Sequence, residues 1–193
     1  MRTKPAAALC AAIATTVIAL GATTPAARNF STTNQNFRIT FTDLEVEALF
    51  FRNDCHLTLE GSLHTRTMAK VTGTLIGYVT RAIAGQCTVA TRPLAETLPW
   101  HVRYESFSGR LPDITLVITT IRVAIEMPCL VDTNVKTRVS RAPSTGQLIA
   151  IEVPSQTVPL TGVFCPETGT VRSVGSGQIA LSVTNRRISL TLI

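Results

Sequence analysis

The residues of this chain that could do chemistry are three histidines, a few carboxylates and the arginines between them. His56, Glu60 and His64 recur at intervals of four. On one extended strand they would share a face and resemble a zinc-binding trio. At roughly 3.3 Å per residue, however, neighbours four apart stand about 13 Å from one another, whereas each zinc ligand must come within about 2.1 Å of the ion. The spacing therefore argues against a shared metal, no cysteine pair has CxxC or CxH spacing, and neither metal nor cofactor is expected. Nucleophilic catalysis would need a serine or cysteine held against an oriented base. The chain has no Gly-x-Ser-x-Gly elbow, and Ser173 to Ser176 reads as a loop. Glu60 and Glu105 are the conceivable carboxylate pair for glycoside hydrolysis, but nothing in the sequence places them together. Enzyme chemistry is not the favoured reading.

A more compact grouping follows the single tryptophan. In a strand starting at Trp100, alternation sends Trp100, Val102 and Tyr104 to one face and His101, Arg103 and Glu105 to the other. Arg103 could there meet a carboxylate or phosphate on a partner. These three polar residues are the candidate binding residues, and an ordinary solvated face is the competing reading.

The elements that must position such residues are strands. The chain is rich in Thr, Val and Ile, has no sustained 3.6-residue apolar period, and is punctuated by Gly or Pro every dozen residues or so. Apolar residues alternate at Phe37, Ile39 and Phe41, and at Cys55, Leu57, Leu59, Gly61 and Leu63. Ile114, Leu116 and Ile118 alternate in one phase and Ile121, Val123 and Ile125 in the other, which predicts a bulge near Thr119 and Thr120. Further strands are expected at 70–84, 148–153 and 158–164. A closing hairpin is expected to turn at Thr184 to Arg187. Residues 43–50 could form a short helix capped by Asp43, or a strand, and residues 28–36 read as a frayed leader. Gly61, Gly73 and Gly77 fall within strand patterns, as bent strands around a curved sheet would use them. The expected fold is all-β: one antiparallel β-sandwich or barrel-like domain of about 8–10 strands, leaning toward a barrel.

Arg2 and Lys4, the small and apolar run Ala6 to Ala22, and Thr24-Pro25-Ala26-Ala27 have the three-part layout of a cleavable signal peptide over residues 1–27. The run is shorter than the roughly 20 apolar residues of a spanning helix. Cleavage would leave 166 of 193 residues as a single domain, 28–193, with 16 basic against 12 acidic side chains, a net of +4. The basic residues are scattered, which disfavours nucleic acid as a partner. Cys55, Cys87, Cys129 and Cys165 remain in the exported portion, where an even count points to disulfides. Three pairings are possible. Local closure favours Cys55 with Cys87 and Cys129 with Cys165.

Leu59-Glu60-Gly61-Ser62 followed by His64, Leu75-Ile76-Gly77-Tyr78-Val79-Thr80, and Leu98-Pro99-Trp100-His101 with Tyr104, Phe107, Gly109, Leu111 and Pro112 carry a resemblance. Over residues 37–130 the chain resembles a group of exported actinobacterial β-rich proteins of uncharacterised function. The resemblance implies a β-rich exported domain with one cysteine pair in that half, and no activity. The functional expectation is a secreted, non-enzymatic domain without a transmembrane segment, binding an anionic cell-envelope component or a protein. The alternatives are a barrel holding a small apolar ligand and, third, a secreted hydrolase.

Overall fold

The computed structural model describes residues 29–107, 114–126, 128–142, 144–175, 178–181 and 186–193. The expected signal peptide, and the turn expected at Thr184 and Asn185, lie outside them. Among the described residues fourteen strands follow in chain order: β1 (Phe30–Thr32), β2 (Asn36–Ala48), β3 (Phe51–Leu63), β4 (Thr67–Met68), β5 (Leu75–Gly85), β6 (Thr91–Pro93), β7 (Trp100–Phe107), β8 (Ile114–Ile125), β9 (Cys129–Arg141), β10 (Leu148–Glu152), β11 (Gln156–Thr161), β12 (Thr168–Ser173), β13 (Gln178–Leu181) and β14 (Leu190–Leu192). One turn of 3₁₀ helix, Ala95–Thr97, precedes β7.

The main sheet closes on itself. Antiparallel ladders run β2–β3–β5–β7–β8–β9–β11–β12 and back to β2, a circuit of eight strands. The domain is therefore a barrel, and full closure leaves this circuit without a free edge. Two of its 13-residue strands serve two neighbours each along one side. The first part of β9 pairs with β11 and its last part with β10, while β2 pairs with β13 near its start and β12 near its end. A second sheet, β14–β1–β4, contributes Phe30, Met68 and Leu190 to the core.

Alternation fills the interior. Phe41, Leu59, Trp100, Val102, Tyr104, Ile114 and Ile118 are all buried, and their polar neighbours face outward. The expected bulge on β8 is present. The ladder to β9 shifts between Ile118 and Ile121, Thr120 adopts φ 63°, and its amide donates to the Asn134 side chain. That one extra residue returns Ile121 and Ile125 to the interior. Gly61 and Gly77 stand at register shifts on β3 and β5. A Cβ on Gly61 would sit 2.0 Å from the Tyr78 carbonyl oxygen, so only glycine allows the two strands to approach there.

Of the two alternatives for residues 43–50, the strand holds over 43–48, where a bulge between Phe41 and Leu44 shifts the phase by one. Three expectations are corrected. Residues 30–32 are not a frayed leader but strand β1, with Phe30 in the core. Gly73 lies in the turn before β5, at φ 81°. Among the described residues the last two strands show no pairing with each other: β13 joins β2, while β14 joins β1.

Both disulfides form as spacing suggested, Cys55 with Cys87 and Cys129 with Cys165. Among the described residues no helix is long and apolar enough to cross a membrane.

Candidate functional site

The outer wall is ionic. Glu60 on β3 takes Arg38 at 2.7 Å and Arg81 at 3.3 Å, and the hydrogen bond from Arg38 holds its carboxyl below the usual glutamate range. Glu45 on β2 points outward yet is wholly buried, clamped by Arg172 at 2.7 Å and Arg52 at 2.9 Å. Two partly exposed guanidiniums thus cover one carboxylate. Polar outside and apolar inside is the reverse of barrels that span membranes, whose outer band is apolar.

His101, Arg103 and Glu105 lie on this outer wall, and each engages a different neighbour. The His101 ring is 5.3 Å from Tyr78, whose other neighbour is His64 at 4.8 Å. Arg103 donates to the Gly73 carbonyl at 2.8 Å, and Glu105 pairs with Lys136 at 3.2 Å. The three are not brought together around a common point. Glu60 and Glu105 belong to separate ion pairs, with β5 running between their strands. Among the described residues no group of three or more His, Cys, Asp or Glu could hold a metal.

The interior is different in kind. Two cavities of about 80 Å³ each lie inside the barrel. The first is bounded by Phe37, Ile76, Tyr104 and Val139 of the wall and by Phe30 and Leu190 of the second sheet. The second is bounded by Phe41, Leu57, Trp100, Val131 and Val171. Ile118 and Thr137 line both. The lining is almost wholly apolar, and its polar members are committed within the wall. Asn53 donates to the Thr91 hydroxyl at 2.7 Å and accepts from the Val89 amide at 2.8 Å. Thr137 is oriented to the Leu116 carbonyl at 3.4 Å, and the Trp100 indole donates to Thr97 at 3.0 Å. Burial raises the Tyr104 phenol above its ordinary pKa, as an apolar setting requires.

Comparison with protein-family models, curated proteins and solved structures finds no match. The geometry alone must therefore indicate what the chain can do.

Protein interiors hold few voids larger than a water molecule. At roughly 24 cal/mol per Å³, an 80 Å³ void costs on the order of 2 kcal/mol. Water would find almost no hydrogen-bond partners in such a lining and would not offset that cost. An apolar molecule would. Sequence alternation marks the lining contributed by β2, β3, β7 and β8 as core but not that of β9 and β12, and it carries no signal for the voids, because the difference between a filled and an under-filled barrel lies in side-chain volumes summed across strands.

Proposed function

We propose that the domain is an exported, non-enzymatic binding protein that holds a small or slender apolar molecule inside its barrel. The observation that supports this reading is the pair of apolar cavities meeting at Ile118 and Thr137. An eight-stranded barrel is just wide enough either to be filled by side chains or to hold one small ligand. Two voids of about 80 Å³ each together match the roughly 150 Å³ engineered cavity that takes up benzene. A single ring or a short alkyl chain is the matching size. The two disulfides suit an oxidising, extracytoplasmic compartment, where apolar cargo is supplied by envelope lipids and their breakdown products.

The only tryptophan lines the second cavity, so the protein carries its own reporter. Titration with benzene and, separately, with decan-1-ol should shift Trp100 emission saturably. It should also raise Tm, because a ligand at a hundred times its Kd stabilises the folded state by about 2.7 kcal/mol. Unchanged emission and unchanged Tm up to the solubility limit of both compounds would overturn the reading.

A further inference from the structure

Two hairpin ends break the polar pattern of the outer surface. The turn between β2 and β3 exposes Leu49 (79%) and Phe50 (75%), and the turn between β11 and β12 exposes Val163 (67%) and Phe164 (94%). They stand side by side, because Thr170 lies opposite Glu47 in the β12–β2 ladder and Gly169 lies directly against Ala48. Exposure this high belongs to protruding positions and not to a groove. Phe164 is held there at φ 69°, a conformation uncommon for a bulky residue and found where the surrounding structure enforces it. The next residue, Cys165, is tied by its disulfide to Cys129 at the start of β9. Large exposed apolar groups gathered on one end mark an interaction site.

We propose that these two tips dock the barrel onto an uncharged lipid surface, inserting Leu49, Phe50, Val163 and Phe164 into the headgroup boundary. The choice of lipid as occupant rests on the apolar-cargo reading. The strands carrying the tips also line the second cavity, through Val46 on β2, Asn53 on β3 and Val171 on β12, so docking would bring that end of the barrel against a source of cargo. Charge decides which lipid. The strands behind the tips carry three cations, of which Arg38 is paired with Glu60, and Arg52 and Arg172 are engaged by Glu45, with Asp54 at 3.1 Å and Glu47 at 3.9 Å beside them. They leave no surplus positive charge at the tips to recruit anionic headgroups. Attachment should therefore depend on apolar insertion and be insensitive to salt.

The test is co-sedimentation of the purified protein with phosphatidylcholine vesicles. The wild type should partition onto them equally at 0.05 and 0.5 M NaCl, with less than a twofold gain when phosphatidylglycerol is added. The double variant Phe50→Ser, Phe164→Asn should lose at least tenfold. Asparagine tolerates a left-handed backbone, and an unchanged Tm verifies that the variant is folded. Failure of the wild type to bind, equal binding by the folded variant, or binding that needs phosphatidylglycerol and vanishes in salt would each overturn the proposal. So would a vesicle-free dimer that the double variant converts to monomer, since the tips would then be a contact between copies. Decan-1-ol titration of the same two proteins without vesicles separates the readings. Retained cargo binding in a variant that no longer sediments supports docking as a distinct step. Vesicle binding without any cargo binding would overturn the choice of lipid on the ground of cargo.

Discussion

Ile118 on β8 and Thr137 on β9 are the two side chains shared by both cavities, so side chains and not backbone divide the barrel interior. Truncating the larger one should join the voids. Ile118→Ala is expected to cost about 2–5 kcal/mol in unfolding free energy, and the lost stability should be recovered in part by saturating benzene. Denaturant unfolding with and without benzene measures both. If benzene protects the variant no better than the wild type, the two voids do not form one site.

The disulfides close segments of similar length, with sequence separations of 32 and 36. On the chain-entropy account each should contribute about 3–4 kcal/mol. The paired variants Cys55→Ser with Cys87→Ser, and Cys129→Ser with Cys165→Ser, should lower Tm by similar amounts. Non-reduced peptide mapping of the wild type should yield these two linkages and no other.

Glu45 and its arginines should respond asymmetrically. Replacing both Arg52 and Arg172 by Met strands a wholly buried carboxylate and should destabilise by about 3–5 kcal/mol. Glu45→Gln leaves two guanidiniums that already reach solvent and can be hydrated, and should cost distinctly less. Equal losses in the two experiments would show that the clamp is not governed by burial of the carboxylate.

Glu60 makes stability depend on pH. Its carboxyl is held below its ordinary value of 4.5, chiefly by the hydrogen bond from Arg38. A group with a depressed folded pKa stabilises above its unfolded pKa and loses that contribution as pH falls through the folded value. Because Arg81 is exposed and Arg38 half-buried at the surface, the increment should be about 1 kcal/mol or less. Glu60→Gln should therefore lower Tm at pH 7, with the gap narrowing below about pH 4.5. A gap that widens on acidification would contradict the assignment.

Most of the wall was legible because alternation has a period of two and each bulge leaves a visible phase slip. The slip from Ile118 to Ile121 marks the bulge on β8, whereas the extra residue between Phe41 and Leu44 interrupts the alternation of β2 and leaves residues 43–50 open between helix and strand. Closure was less accessible. Residues Val131 and Leu160, or Val171 and Val46, pair across long stretches of chain, and no local pattern encodes those partners. The partner of β14 is equally remote in sequence: it is β1, some 160 residues away, with Phe30 opposite Leu192. The tips had a signal that went unused, three consecutive apolar residues at Leu49-Phe50-Phe51 where a turn should be polar.

The segment Trp100 to Glu105 allows scaffold and surface to be separated within one strand. Trp100 is fully buried, borders the second cavity and donates to Thr97; its truncation removes core volume, and Trp100→Ala should cost about 3–5 kcal/mol. Arg103, three residues along on the solvent side, donates to the Gly73 carbonyl among the described residues, so Arg103→Ala should change stability by about 1 kcal/mol or less. If His101, Arg103 and Glu105 form a partner site, Arg103→Ala should release that partner with Tm nearly unchanged. If cargo lies in the barrel, the same variant should retain benzene and decan-1-ol binding in full. Trp100→Phe, which preserves an aromatic wall, should keep cargo binding by Tm shift while losing the fluorescence response. A variant set in which Arg103→Ala abolishes cargo binding would move the site from the interior to the outer face of β7.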